Sequence, residues 1–368
     1  MKNSKILIVG SFPKNNKIII GGINKSCEIL INSKEFSKYE ISTIDSSSSS
    51  NPPPYFVVRV FSGIKRLFKY SYQIFFNRPN TVIIFCSDGL SAIEKGLMIY
   101  LANILSISSM IFPRAGNLIR QVKSSKSFSY LIKFLFNKAT VFLSQGENWS
   151  NFAKEQLRIN PETILEIPNW TATEELIKIG ENRQIVKKDK LNLLFVGWLE
   201  KEKGVQELLN ALIHIKKRQY KFKMIFIGDG TIMSDVKKFI VRNNLTENIE
   251  LKGWQNSETV LKFYAISDIF ILPSWKEGMP NSLIESISSG LPSIVTKVGV
   301  IPNYLKDSYD SIQINPNNES ELINAIEKLM NSTELRKKIS KNSLMTAKSV
   351  FLSNKSLDKL TEAIDKLN

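Results

Sequence analysis

Short, continuous apolar runs alternate along this chain with stretches whose apolar residues recur every three or four positions. In the second half the runs are "LNLLFVG" (191–197), "FKMIFIG" (222–228), "DIFILPS" (268–274) and "PSIVT" (292–296). Unbroken apolar runs of this length predict strands covered on both faces. The helical stretches between and beyond them are "VQELLNALIHIKKRQ" (205–219), Met233–Arg242, "SETVLKFYAI" (257–266) and "NSLIESISSG" (281–290), with a short strand "IELKG" at 249–253. Strands alternating with helices predict an α/β fold with a parallel sheet and helices on both faces.

The first half repeats this grammar less cleanly. Strands are predicted at "SKILIVG" (4–10), "TVIIFCS" (81–87), "ATVFLSQ" (139–145) and "ILEIPNW" (164–170), and a helix at "GINKSCEILINSKEF" (22–36). The uncharged stretch 96–113, "GLMIYLANILSISSMIFP", reaches the length of a membrane span. Asn103, Ser106, Ser108 and Ser109 interrupt it, so it reads as a helix end followed by a strand. The serine run Ser46–Ser50 and "NPPP" form a loop before a basic, aromatic helix, "YFVVRVFSGIKRLFKYSYQIFF" (55–76). A second basic-aromatic stretch spans Ile119–Lys138. The expectation is two doubly wound Rossmann-like domains, 1–170 and 191–345. A polar linker, 171–190, would join them, and 346–368 would be a C-terminal helix packing back across both.

Length and charge add to this. The 368 residues carry a net charge of +16, which points to an anionic partner. A nucleic-acid reading rests on charge alone, since no RNA- or DNA-binding module accompanies it. Two cysteines, Cys27 and Cys86, exclude a disulfide framework. The chain opens on a strand without a signal-peptide pattern, so a cytoplasmic location is expected. The single histidine, His214, lies inside a predicted helix, and no Ser/His/Asp or Cys/His set can be built around it. No D-x-D occurs, so no metal site of that pattern is indicated.

In doubly wound sheets, ligands sit beyond the carboxyl ends of the strands. Four loops fall there: "VGSFPKNNKIIIGG", "VGWLEKEKGV", "IGDGTIM" and "PSWKEGMPNSLIE". Gly21 and Gly22 precede a helix, where backbone amides attract anions. "GDG" at 228–230 lacks the third glycine of a dinucleotide fingerprint, because Met233 stands there. Lys203 sits at a helix start, a poor place for a cation unless an anion joins it. Ser282 and Glu285 fit a capping box, S-x-x-E, with Pro280 at the helix start and Gly290 at its end. That accounts for Glu285 and leaves Glu277 without a structural role.

"EGMPNSLIE" (277–285) resembles the E-x7-E signature of retaining family-4 glycosyltransferases. "LLFVGWLEKEKGVQELLNAL", "IFIGDG", "IELKGW", "SDIFILPSWKEGMPNSLIESISSGLPSIVT" and "VGVIP" are similar to that family's other landmarks, in order. The resemblance covers most of 191–305 and extends less sharply back to about 144. It implies a GT-B fold, two Rossmann-like domains facing a central cleft, and a nucleotide-sugar donor, UDP- or GDP-linked in preference, with no metal and no cofactor. It further implies that Glu285 binds the donor ribose and Glu277 the donor sugar, and that backbone amides of Gly278, Met279, Pro280, Asn281, Ser282 and Leu283 cradle sugar and diphosphate (Pro280, lacking an N–H, as part of the loop). Lys203 would neutralise the diphosphate, Gly21 and Gly22 would approach the phosphates, and Trp254 would lie near the base. Trp198 replaces the family's usual Arg, and the usual histidine of the first domain is missing; Arg114, in "FPRAGN", is the candidate substitute or acceptor ligand. The expected activity is glycosyl transfer to a glycan or lipid-linked acceptor in bacterial surface polysaccharide assembly, with peripheral contact to the anionic inner membrane. A GT-B sugar-nucleotide epimerase is the alternative.

Overall fold

The structure is a computed structural model describing residues 4–12, 22–47 and 54–368. Two compact units divide the chain: Met1–Trp170 with Ser353–Asn368, and Thr171–Leu352. The Gly21 position and most of the serine–proline loop lie outside the described residues.

In the first unit the strands are β1 Lys5–Gly10, β2 Glu40–Asp45, β3 Thr81–Cys86, β4 Ser108–Pro113, β5 Val141–Ser144 and β6 Ile164–Glu166. Its helices are α1 Gly22–Asn32, α2 Phe56–Tyr72, α3 Leu90–Ile104, α4 Asn117–Ser124, α5 Lys126–Phe136 and α6 Glu147–Asn151. The strands form one parallel sheet in the order β2-β1-β3-β4-β5-β6. All six residues of β3 are buried, as a central parallel strand requires. The basic-aromatic stretch 119–138 breaks into two helices at Ser125, whose hydroxyl accepts from the Phe128 N–H.

In the second unit the helices are α7 Glu174–Glu181, α8 Val205–Lys217, α9 Met233–Arg242, α10 Ser257–Ile266, α11 Asn281–Ser288, α12 Ile301–Tyr304, α13 Glu319–Asn331 and α14 Thr333–Thr346. Its strands are β7 Lys190–Val196, β8 Lys221–Ile227, β9 Ile249–Leu251, β10 Ile269–Leu272, β11 Ser293–Thr296 and β12 Ile312–Ile314. They also form one parallel sheet, ordered β12-β11-β10-β7-β8-β9. Read from β9, this is the 3-2-1-4-5-6 order of dinucleotide-binding folds, with its switch point between β7 and β10.

Residues 171–190 and 353–368 each belong to one unit. The stretch 171–190 carries α7, whose Leu176, Ile177 and Gly180 are buried. Arg183 in the same stretch donates to the carbonyls of Ser289 (2.6 Å), Ser267 (2.7 Å) and Tyr264. These contacts make it part of the second unit. A final helix, α15 Ser353–Asp365, belongs to the first unit, where Leu357, Leu360 and Ile364 join a core with Ile6, Phe85, Phe112 and Trp170.

Candidate functional site

The loops beyond the carboxyl ends of β7, β8, β10 and β11 are knitted together by backbone. The Trp275 N–H donates to the Glu202 carbonyl (2.7 Å), and the Val300 N–H to the Gly278 carbonyl (3.2 Å). Gly204 adopts a positive φ and starts α8; a Cβ there would lie 2.0 Å from the Pro273 carbonyl oxygen. Gly299, at φ +61°, is the second such contact. A Cβ would stand 2.3 Å from the Glu277 carbonyl oxygen and 2.4 Å from that of Gly278. Only glycine fits either place.

This packing brings two predicted residues together from opposite sides of the switch point. Lys203, on the loop after β7, places Nζ 2.6 Å from Oε1 of Glu277, on the loop after β10. The pair is mostly shielded, with side-chain exposures of 24% and 9%. A shielded ion pair of this length holds both side chains in place across the switch point. Glu277 thus has the structural partner that its loop position did not reveal.

Glu285 is held differently from the expected capping box. Helix α11 begins at Asn281, with Pro280 at the N-cap and no side-chain cap bond. Ser282 therefore lies inside the first turn, not at the cap, and cannot pair with Glu285 in that motif. Glu285 instead accepts from the phenol of Tyr264 (3.0 Å), which also reaches the Ser282 carbonyl (3.1 Å). Tyr264 is fully buried, and burial, then the Glu285 charge, pushes its phenol pKa well up. It is the only buried side chain of α10 and fixes both the loop end and the carboxylate. Sequence reasoning passed over it; a lone polar aromatic on the core face of an otherwise plain helix was the available signal.

The remaining predicted positions fall as follows. Gly278 to Ser282 line the loop and the first turn of α11, with Met279 and Pro280 buried. Leu283 is buried in the core, and its N–H bonds back to the Pro280 carbonyl at 3.2 Å, so that amide is already committed. Trp198 and Trp254, beyond β7 and β9, meet edge to face with ring centres 4.6 Å apart. In the first unit, Gly22 is the first residue of α1. Arg114 follows β4, donates to the Ser26 hydroxyl of α1 (2.9 Å), and lies over the rings of Phe112 and Trp170. Burial lowers its pKa to about 10, and its second terminal nitrogen is buried without a partner. His214 sits on α8, 3.7 Å from Glu319 and half exposed, away from both constellations. Among the described residues no group of three or more His, Cys, Asp or Glu side chains gathers as a metal site would need.

Comparison with known proteins bears on the fold and on the second unit. Residues 178–345 match the family model described as "Glycosyl transferases group 1". The "UDP-Gal:alpha-D-GlcNAc-diphosphoundecaprenol alpha-1,3-galactosyltransferase" of Escherichia coli is 30% identical over 47% of this chain and 46% of its own. Sucrose-phosphate synthase of Thermosynechococcus elongatus superposes with a TM-score of 0.78 at 13% identity, over 99% of both chains. Anabaena Alr3699/HepE, solved in complex with UDP, gives 0.72 at 14% identity over 98% and 99%. The chain therefore has the GT-B fold of these neighbours. It spans about half the length of the curated relatives it matches.

Proposed function

We propose that this chain is a retaining, metal-independent glycosyltransferase that moves a sugar from a nucleoside-diphosphate donor to a glycan or lipid-linked acceptor in surface polysaccharide assembly. The observation that carries the reading is the Lys203–Glu277 pair astride the switch point of the second sheet. Breaking a glycosyl–phosphate bond builds positive charge on the sugar and negative charge on the departing diphosphate. Lys203 would neutralise the diphosphate, together with first-turn amides of α11, in a place already arranged before the donor arrives. Glu277, released from the ammonium, would accept hydroxyl hydrogens of the donor sugar. Glu285, oriented by Tyr264, would accept from the ribose hydroxyls.

A UDP- or GDP-sugar suits this arrangement, and the UDP complex of a GT-B neighbour supports that choice. The diphosphoundecaprenol acceptor named for the Escherichia coli relative supports a lipid-linked acceptor, and with it work at the inner face of the cytoplasmic membrane. Trp254 is assigned to the base, Trp198 beside it to the donor, and Arg114 to the acceptor. No observation favours the epimerase.

The test is transfer of labelled sugar from a panel of UDP- and GDP-sugars to polyprenyl-diphosphate-linked acceptors, with and without EDTA. Transfer that persists in EDTA, gives a product with the donor's anomeric configuration, and vanishes in Glu277→Ala supports the reading. Transfer retained in Glu277→Ala, or seen only with added metal, defeats it.

A further inference from the structure

Helix α2 turns an apolar stripe away from the protein. Val57, Phe61, Ile64, Phe68 and Tyr72, continued by Phe75 in the π-turn 73–77, follow one another at spacings of three and four residues. Such residues share one face of a helix. Phe61, Phe68 and Phe75 are 68%, 73% and 54% exposed. The opposite face buries Gly63 and Tyr70, with Ile74 beyond them. That inner face is bolted down. The Arg66 guanidinium makes a bidentate pair with Glu94 of α3 (2.7 and 2.8 Å), and Lys95 completes it at 2.9 Å. The Tyr70 phenol donates to the Met98 carbonyl at 3.0 Å. With its inner face so held, the helix cannot roll to bury the aromatic stripe.

Two neighbouring helices continue the pattern. Helix α3 packs against both α2 and α5. It exposes Leu97 and Ile104, and α5 exposes Tyr130, Leu131 and Phe134. Charge points the same way. Residues 54–146 hold twelve Lys and Arg against two carboxylates, Asp88 and Glu94, so most of the chain's +16 resides there. Glu94 is spent inside the protein, between Arg66 and Lys95. Lys65 and Lys69 are exposed beside the aromatic stripe of α2.

We propose that α2, α3 and α5 form a docking face for an anionic lipid bilayer, with α2 lying flat at the boundary between headgroups and acyl chains. The chemistry fits that occupant. An apolar, aromatic stripe enters the boundary, and flanking lysines meet acidic headgroups. Neither signal alone holds a protein stably on a membrane; this surface has both. Among the described residues no helix is long and apolar enough to cross a membrane, so α2 rests in the surface. A second copy of the chain is a poor occupant, because it would press two strongly cationic faces together. The inference rests on the lipid-linked acceptor reading for its purpose, since it would hold the enzyme where such acceptors lie. Its geometry is independent of that reading.

The experiment uses the full chain and co-sedimentation with vesicles of phosphatidylglycerol and phosphatidylethanolamine, against vesicles of phosphatidylcholine alone. Wild type is expected to partition to the anionic vesicles. Phe61→Ser/Phe68→Ser/Phe75→Ser should weaken that partition at least tenfold. Lys65→Gln/Lys69→Gln should weaken it several-fold and reduce the preference for anionic lipid. As a probe that does not depend on the triple variant folding, Phe68→Trp should show added emission quenched by bromine-labelled acyl chains. Absence of partition, unchanged partition in the triple variant, or no added quenching overturns the proposal. So does a dimer in solution that the triple variant converts to monomer. UDP and GDP binding, measured in parallel without vesicles, separates the two readings: vesicle binding without nucleotide binding sinks the transfer reading and leaves the docking face standing.

Discussion

Removing one member of the Lys203–Glu277 pair should cost more than removing both. The N···O distance is 2.6 Å, and the pair is mostly out of solvent. At an effective dielectric constant of 20, two charges 4 Å apart attract by about 4 kcal/mol. Stranding one partner of a fully buried pair costs roughly 3–5 kcal/mol. Because Lys203 keeps a quarter of its side chain exposed, we take about 2 kcal/mol for Glu277→Gln. In a unit of this size that lowers the melting temperature by about 4–8 °C. Lys203→Met should cost a similar amount, and the double variant less than either single one, which means a coupling of about 2–3 kcal/mol. The assay is a double-mutant cycle by urea unfolding without ligand, repeated with saturating nucleotide-sugar. Coupling should shrink when the donor is bound, because sugar and diphosphate then satisfy the two groups separately. Additivity within about 0.5 kcal/mol in the free protein would mean the pair is not formed, and the reasoning would fail at its root.

Other outcomes follow from the same geometry. Gly299→Ala would set a methyl 2.3–2.4 Å from two carbonyl oxygens of the Glu277 loop; donor affinity should fall more than tenfold in calorimetry while circular dichroism stays unchanged. Tyr264→Phe keeps the packing and removes the phenol's bonds to Glu285 and Ser282; at about 1.5–3 kcal/mol for a charge-linked bond, donor binding should weaken roughly 10- to 100-fold, and undiminished affinity would remove Tyr264 as a positioning residue. Cys27 and Cys86 are pushed by burial from 9.0 to about 12. The unfolded chain then loses its thiol protons first, so stability is full below pH 9 and falls as pH rises toward 12. At pH 10 the loss is about 1.4 kcal/mol for each thiol. Urea midpoints at pH 8 and 10 should converge when both cysteines are replaced by serine.

The second unit was the more legible half, for a physical reason. Its strands are buried on both faces, so they read as unbroken apolar runs, and helices such as Met233–Arg242 and Ser257–Ile266 carry clean periodicity between them. The three-residue strand Ile312–Ile314 was invisible, since "IQI" has neither length nor an uninterrupted apolar run. Both members of the central pair stand out in the sequence, by loop position and by resemblance, yet their contact, across 74 residues of chain, does not. It depends on strand order, which places β7 beside β10. The capping box failed because S-x-x-E is a local pattern, whereas the start of α11 is set by Pro280, by the loop's bond to Val300 and by its close approach to Gly299. Only its region marks Arg114 in the sequence; its place against the rings of Phe112 and Trp170 is a tertiary fact.

The central claim is that Lys203 and Glu277 together receive a nucleotide-sugar, one taking the diphosphate and the other the sugar. Titration calorimetry can separate those roles. Wild type, Lys203→Met and Glu277→Gln would each be titrated with the preferred nucleotide-sugar and with its free nucleoside diphosphate. Lys203→Met should weaken both ligands at least tenfold, whereas Glu277→Gln should weaken the nucleotide-sugar and leave the free diphosphate nearly unchanged. Binding of both ligands at wild-type affinity in both variants would contradict the account.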